Sequence, residues 1–305
     1  MTSEAPRTVS RVQWLRRLAL RRNDRVAFVL SGGGPYGAMQ VGMLQALVEA
    51  GISPDLVVGT SAGSLNAAFV AADPSRDGIA NLATIWRGLS DEDLFPGAKR
   101  RSSWARMIMK GDRIFENSGL QRIITEQLGI STFEELHIPL GVVATELEDG
   151  HEELFRSGDL VAALLASSAM PGIFPPIDIE GKRYIDGGVT NAVPIAPAIE
   201  MGAHRIYVLN CSGSQQEKRP LYRPMDHLLH AFLLSRSRRY HHDLPVLAQR
   251  AELVVIPTPQ VEFSVSFTSM AHTGRLIELG YEAAARFLAG GQEDEHGPGE
   301  AAPLV

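Results

Sequence analysis

Asp55-Leu56-Val57-Val58-Gly59-Thr60-Ser61-Ala62-Gly63 is the stretch on which the fold turns. Asp55–Val58 is a short apolar run of the kind that forms a buried strand. Ser64–Ala72 downstream is Ala-rich and favours helix. Between them lies the pattern G-x-S-x-G, a sharp strand-to-helix turn that lifts its serine hydroxyl to the C-terminal edge of a sheet. Gly59 and Gly63 allow strand and helix to approach closely around that turn. The helix N-terminus behind Ser61 offers unpaired N–H groups and the positive end of a dipole, which suits a developing anion. The pattern also arises by chance in glycine-rich chains, so a turn with an idle serine is the competing reading.

A second unit has the same construction. The apolar run Val26–Leu30 leads into Ser31-Gly32-Gly33-Gly34-Pro35-Tyr36-Gly37, and Met39, Leu44, Leu47 and Val48 then recur at helical spacing until Gly51. Such a loop can cradle a nucleotide phosphate or serve as an oxyanion hole. A P-loop would end in Gly-Lys-Ser/Thr, but Gly37-Ala38-Met39 has neither the lysine nor the hydroxyl. A dinucleotide site would want an acidic residue ending the next strand, where Gly59-Thr60-Ser61 stands instead. Neighbouring parallel strands would set the amides of Gly32, Gly33 and Gly34 beside Ser61, which favours the oxyanion hole.

A serine nucleophile needs a proton acceptor. None of the nine histidines has a setting that singles it out, and His241-His242 falls in an Arg-rich polar helix. Asp186 is the better candidate. It follows a hairpin-like run, Ile177–Tyr184, and precedes Gly187-Gly188, so a strand end could present its carboxylate to a cleft. The plain alternative is an aspartate that turns a loop. A carboxylate of pKa about 3.9 is a weak base and would need contact with Ser61 and partial desolvation.

Taken together, the ordered blocks Gly32–Gly37, Gly59–Gly63, Ala166-Ser167-Ser168-Ala169-Met170-Pro171-Gly172-Ile173-Phe174-Pro175-Pro176 and Asp186-Gly187-Gly188 resemble the patatin-like phospholipase family over about residues 25–290. The resemblance implies a three-layer α/β/α fold with a mostly parallel central sheet. It implies hydrolysis of lipid acyl esters, of the phospholipase A, lysophospholipase or carboxylesterase type. By resemblance Ser61 is the nucleophile, Asp186 takes its proton without a histidine, and Gly32, Gly33 and Gly34 form the oxyanion hole; no cofactor is implied. Pro35-Tyr36 departs from the residues usual in the family's glycine loop, at a place that bears on acyl-chain fit. The spacing from Gly34 to Ser61, one helix and one strand, also differs from an ordinary α/β-hydrolase. Two other readings stay open: a lipid acyltransferase with the same dyad, and a phosphate- or nucleotide-binding module built on the Gly32–Gly37 loop.

Composition bounds the rest. A hydrophobic share of 45% and a charged share of 21% over 305 residues are those of a soluble globular protein. A net charge of −6 gives no reason to expect nucleic-acid binding. Cys211 is the single cysteine, so no intrachain disulfide forms, and it reads as a small residue ending the strand Ile206–Asn210. No His/Asp/Glu cluster has metal-ligand spacing. Leu18-Ala19-Leu20 is too short for a signal-peptide core, and Val26–Leu30 is far short of a membrane span. These readings imply a cytoplasmic protein or one peripheral to a membrane.

Strands are predicted at 26–31, 55–59, 139–146, 151–156, 182–185, 204–210 and 252–257, with a hairpin turn at Glu148-Asp149-Gly150. Helices are predicted at 36–50, 62–72, 76–89, 102–110, 118–128, 158–169, 193–201, 226–248 and 272–289. This order gives a basic amphipathic extension at 1–24, an acyl-hydrolase domain at 25–290 and a disordered tail at 291–305. Its stretch 11–22 carries Trp14, Leu15 and Leu18 among five arginines, Arg11, Arg16, Arg17, Arg21 and Arg22. It suits either an anionic membrane surface or packing on the domain, and its shortness favours packing. A basic run beside an amphipathic stretch at 95–110 suits either a lid or a surface loop. Residues 11–22 and 95–110 are therefore the two candidate membrane contacts, and Ser264–Met270 is a weaker candidate for lining the same cleft.

Overall fold

The sheet is built from apolar runs too short and too β-branched to be helices. In a computed structural model, which describes residues 25–95, 115–211, 224–263, 265–266 and 268–290, eight strands form one sheet. They are β1 Val26–Leu30, β2 Leu56–Thr60, β3 Leu140–Glu146, β4 Glu152–Phe155, β5 Ile177–Ile179, β6 Lys182–Asp186, β7 Arg205–Leu209 and β8 Glu252–Val255. Hydrogen-bonded neighbours run β5-β6-β3-β2-β1-β7-β8, with β4 also paired to β3. β3, β2, β1, β7 and β8 are mutually parallel, while β4 and β6 run antiparallel to β3, and β5 antiparallel to β6. The expected mostly parallel sheet is thus present, with an antiparallel corner.

The helices are α1 Gly37–Glu49, α2 Ala62–Ala72, α3 Arg76–Gly88, α4 Asp91–Leu94, α5 Ser118–Ile123, α6 Leu160–Ser167, α7 Ile195–Glu200, α8 Pro224–Leu247 and α9 Thr273–Leu288. Alternation along the strands divides the core in two. Phe28, Leu30, Val57 and Val142 face α1, α2, α3, α6 and α9. Ala27, Val29, Leu56, Val58 and Val143 face α7 and α8. The parallel strands are covered on both faces, which is the three-layer arrangement.

Local chemistry sets the helix ends. Ser75 Oγ accepts from Gly78 N at 3.2 Å ahead of α3, and Asp159 Oδ1 accepts from Ala162 N at 2.9 Å ahead of α6. The stretch predicted as one helix over 118–128 is α5 followed by a wider π turn, Ile124–Leu128, closed by Gly129 at φ 67°. β5 was not among the predicted strands. It pairs with β6 across Glu180-Gly181, both at positive φ (54° and 80°), so the hairpin-like run is a two-residue hairpin. α4 was also unexpected; its capping box joins Ser90 to Asp93.

Among the described residues, no helix is long and apolar enough to cross a membrane. Residues 1–24, 96–114 and 291–305 lie outside them, and with these the basic stretch 11–22, nearly all of 95–110 and the predicted helix 102–110.

Candidate active site

The register of β3 brings two distant segments together. β4 pairs with Val142–Thr145 on one edge of β3. β2 pairs with Leu140–Val143 and β6 with Ala144–Glu146. Both overlap β4, so both lie on the opposite edge of β3 and meet end to end. Thr60, the last residue of β2, is opposite Val143, and Asp186, the last of β6, is opposite Ala144. The chain leaving β2 at Ser61 therefore emerges beside the carboxylate that ends β6.

Ser61 Oγ donates to Asp186 Oδ2 at 2.6 Å. Ser61 sits at φ 55°, ψ −128°, a conformation that costs an L-residue about 1 kcal/mol or more. The surroundings hold it there. Its N–H donates to Ser167 Oγ at 2.9 Å, and Ser167 Oγ–H donates to Val143 O at 2.6 Å. Its carbonyl accepts from Ser64 N at 2.8 Å and Ser64 Oγ at 2.7 Å. A Cβ on Gly59 would lie 2.4 Å from Gly63 O, and one on Gly63 would lie 2.3 Å from Leu30 O, so the elbow closes only with glycine at both positions.

Asp186 is buried, with 3% of its surface exposed. Oδ1 accepts from Gly188 N at 2.7 Å, and its carbonyl accepts from Thr145 Oγ1 at 3.1 Å. Burial pushes its carboxyl above the ordinary carboxylate range, against the opposing pull of Arg236, Ser61 and the Gly188 amide. A buried carboxylate with a raised proton affinity is a better base than a free aspartate. The hydroxyl's partner is thus a carboxylate and not an imidazole. His151 and His242 are exposed and lie against Asp149 and Asp243.

The glycine loop leaves β1 next to this pair; a Cβ on Gly32 would lie 3.2 Å from Ser61 Cβ. Of the three amides expected to form an oxyanion hole, that of Gly32 is committed elsewhere, donating to Ala192 O at 3.0 Å. This corrects the expectation for Gly32: its N–H ties the loop to the chain after β6, and the amides of Gly33 and Gly34 remain. Gly34 has φ 55°. Tyr36 is buried in the 3-10 turn Gly34–Tyr36, where it packs into the core that includes Trp86.

Beneath the loop runs a buried polar chain. Trp86 Nε1 donates to Asn66 Oδ1 at 2.7 Å, and Asn66 Nδ2 donates to Gln40 Oε1 and Gly37 O, both at 2.9 Å. Gln40 Nε2 donates to Ser31 O at 2.8 Å and Leu209 O at 3.0 Å. Both ends of the glycine loop, Ser31 and Gly37, are thereby fixed. Cys211 is buried two residues beyond the end of β7; its thiol lies against Gly33, and burial pushes it up to about 11.

Several of these residues carried little sequence signal. Gln40 and Asn66 are polar residues inside apolar helical runs, which is a readable sign. Ser167 lies within the Ala166–Pro176 block, but nothing in the block assigns its partner. Of the lid stretch only Phe95 is described; its ring stacks on Phe174 at 5.7 Å and meets Phe115 edge-on at 5.3 Å. In the 264–270 stretch, Val265 and Met270 are buried in the core. Among the described residues no group of three or more His, Cys, Asp or Glu could hold a metal ion.

Residues 28–199 match the family model for patatin-like phospholipase. The chain belongs to the patatin-like phospholipase family. The matched span holds the glycine loop, the elbow and the Asp-Gly-Gly turn of this family member. An uncharacterized NTE family protein of Mycobacterium tuberculosis is 30% identical over 193 residues, 63% of this chain and 51% of that protein. The human patatin-like phospholipase domain-containing protein 6 is 31% identical over 196 residues, 64% of this chain and 14% of that protein. The chain therefore spans about half of the mycobacterial relative and a small part of the human one. Among solved structures, VipD from Legionella pneumophila aligns with TM-score 0.46 and 14% identity over 88% of this chain and 67% of that one. ExoU of Pseudomonas aeruginosa, in complex with SpcU, aligns with TM-score 0.37 and 16% identity over 87% and 53%.

Proposed function

We propose that this patatin-like protein is a lipid acyl hydrolase in which Ser61 is the nucleophile and Asp186 the proton acceptor. The observation that carries the reading is the 2.6 Å bond from Ser61 Oγ to a buried carboxylate at the strained elbow. Asp186 takes the Ser61 proton as Oγ attacks the ester carbonyl. The tetrahedral oxyanion is met by the Gly33 and Gly34 amides at the glycine loop. The intermediate collapses to an acyl-serine, and Asp186 returns the proton to the departing alcohol. Water, deprotonated by Asp186, then releases the fatty acid and restores Ser61.

The substrate class is a lipid or fatty-acyl ester, in keeping with the family. Contact with a lipid surface through residues 11–22 or 95–110 is part of the same proposal. Transfer of the acyl group to an alcohol would use the same acyl-enzyme and differs only in the second acceptor.

The test is labelling by a fluorophosphonate, with the adduct mapped by mass spectrometry. Ser61 should be modified in the wild type, nothing should be modified in Ser61→Ala, and Asp186→Asn should label at least about 100-fold more slowly. Rapid labelling of folded Asp186→Asn would remove Asp186 from the role of base. Product analysis with p-nitrophenyl butyrate, with and without added lysolipid, separates hydrolysis from transfer.

A further inference from the structure

The guanidinium of Arg236 is held between the two segments that make the site. It comes from α8, outside the span matched to the family model. Its Nη2 donates to Gly32 O at 2.9 Å. A Cβ on Gly32 would lie 2.9 Å from that nitrogen, and one on Gly188 would lie 3.2 Å from Cζ and 3.3 Å from Nε. The ring of Phe232, one turn earlier, lies 5.3 Å from Cζ. One planar cation thus occupies the space that a side chain at Gly32 would need, and shares with Asp186 Oδ1, at 2.9 Å, the space that one at Gly188 would need. Its Nε is enclosed and makes no hydrogen bond among the described residues.

We propose that Arg236 is a positioning residue that sets the oxyanion loop and the Ser61–Asp186 pair through the Gly32 carbonyl and the Gly188 turn. The inference rests on the dyad reading above. The peptide that carries Gly32 O also carries Gly33 N–H, and a trans peptide is planar with the two groups opposed. Pinning the oxygen fixes the direction of the Gly33 N–H, and a charged donor on the oxygen polarises that N–H into a better donor. The same guanidinium packs on Gly188, whose N–H binds Asp186 Oδ1. A partly buried cation with an enclosed, unpaired N–H is a poor device for stability alone.

Electrostatics agree. Arg236 draws the Asp186 carboxyl down against the effect of burial. The other titratable groups around the pair are the Cys211 thiol, which also acts on Arg236, and, lining the cavity that Arg236 borders, Arg239, Tyr240, His242 and Asp243 of α8, Glu152 of β4 and Glu200 of α7. Removing the cation should move the acid limb of kcat/KM to higher pH.

The experiment compares Arg236→Met, Arg236→Gln and Arg236→Lys with wild type. Read-outs are p-nitrophenyl butyrate kinetics from pH 4 to 9, Ser61 labelling rate and melting temperature. Arg236→Met and Arg236→Gln should lose about 10- to 100-fold in kcat with little change in KM, and their acid limb should rise. Melting temperatures separate this kinetic loss from unfolding, since both changes take the donor from Gly32 O and the cation from beside Asp186. Arg236→Lys keeps charge but not the fork, so it should hold the acid limb near wild type and recover only part of kcat. Wild-type kcat and acid limb in folded Arg236→Met and Arg236→Gln, with Asp186→Asn inactive, would overturn this inference and leave the dyad standing. An active Asp186→Asn would remove the dyad and this inference together.

Discussion

Ser167→Ala is the sharpest probe of how the elbow is held. Ser167 is fully buried, and its hydroxyl does two things at once: it accepts from Ser61 N at 2.9 Å and donates to Val143 O at 2.6 Å. β2 ends at Thr60, so no ladder bond from β2 reaches the Ser61 N–H. Deleting Oγ leaves that N–H without its acceptor. An orphaned buried donor costs about 1–3 kcal/mol, and Val143 O loses a donor as well, so the expected loss is about 2–3 kcal/mol. For a domain of this size each 1 kcal/mol is about 2–4 °C, which puts the melting temperature lower by about 4–12 °C. Function should fall further than stability. Ser61 is kept at φ 55° by this bond, and a nucleophile displaced by about 1 Å loses on the order of 100-fold in rate. The neighbouring hydroxyl supplies the control. Ser168 Oγ is buried with no partner among the described residues, so Ser168→Ala should be neutral or slightly stabilising and should label at the wild-type rate. Thermal melts and second-order rates of fluorophosphonate labelling measure both. If Ser167→Ala and Ser168→Ala behave alike in the two assays, the elbow is not held by the Ser167 bond and the reasoning is wrong.

Two further predictions come from buried polar groups. Gln40→Met keeps volume but removes the amide that donates to Ser31 O and Leu209 O and accepts from Asn66. A loss of about 1–3 kcal/mol in urea unfolding is expected, with slower Ser61 labelling because the start of the glycine loop is released; unchanged labelling at reduced stability would limit the network to a structural role. For Asp186, burial raises the folded proton affinity above the unfolded value of about 3.9. The native state then holds its proton to higher pH than the unfolded chain. This group's contribution therefore declines as pH rises through that window, and the ionised carboxylate is a net cost above it. Asp186→Asn should thus melt at or above the wild-type temperature at pH 7, with the difference narrowing toward pH 4, while labelling is lost. A variant clearly less stable than wild type at pH 7 would mean that the bonds from Ser61 and Gly188 outweigh burial.

How much of this could be read from the chain follows from the range over which each signal acts. The elbow and the glycine loop are local: strand, turn and helix are contiguous, and their glycines are demanded by contacts within a few residues or with the adjacent strand. They were legible, as were all the parallel strands. Asp186 was legible only as a candidate, because its meeting with Ser61 is made by β3, whose register joins Thr60 to Val143 and Asp186 to Ala144. No pattern in β3's continuous apolar run announces that two strands share one of its edges. Gly32 shows the complementary failure. A run of three glycines reads as three free amides, but one donor is spent on Ala192 O from a segment 160 residues away.

Arg236 marks the far limit of such reading, and the reason is physical. On α8 it is one of three arginines, with Arg238 and Arg239, in a run that includes His241 and His242, and such a helix reads as a solvated face. What distinguishes it is the absence of side chains on two other segments: Gly32 and Gly188 leave the room in which its guanidinium lies. The glycine of Asp-Gly-Gly is then explained twice over, as the donor to Asp186 Oδ1 and as the floor on which the guanidinium lies. A Cβ on Gly188 would lie 2.9 Å from Asp186 Oδ1 as well as 3.2 Å from Arg236 Cζ, so Gly188→Ala presses on the carboxylate and the guanidinium together without altering any charge. If the position of these two groups governs the rate, that variant should lose kcat at least as far as Arg236→Met does. Wild-type kinetics in Gly188→Ala would separate the glycine from the arginine and leave the charge alone as the cause.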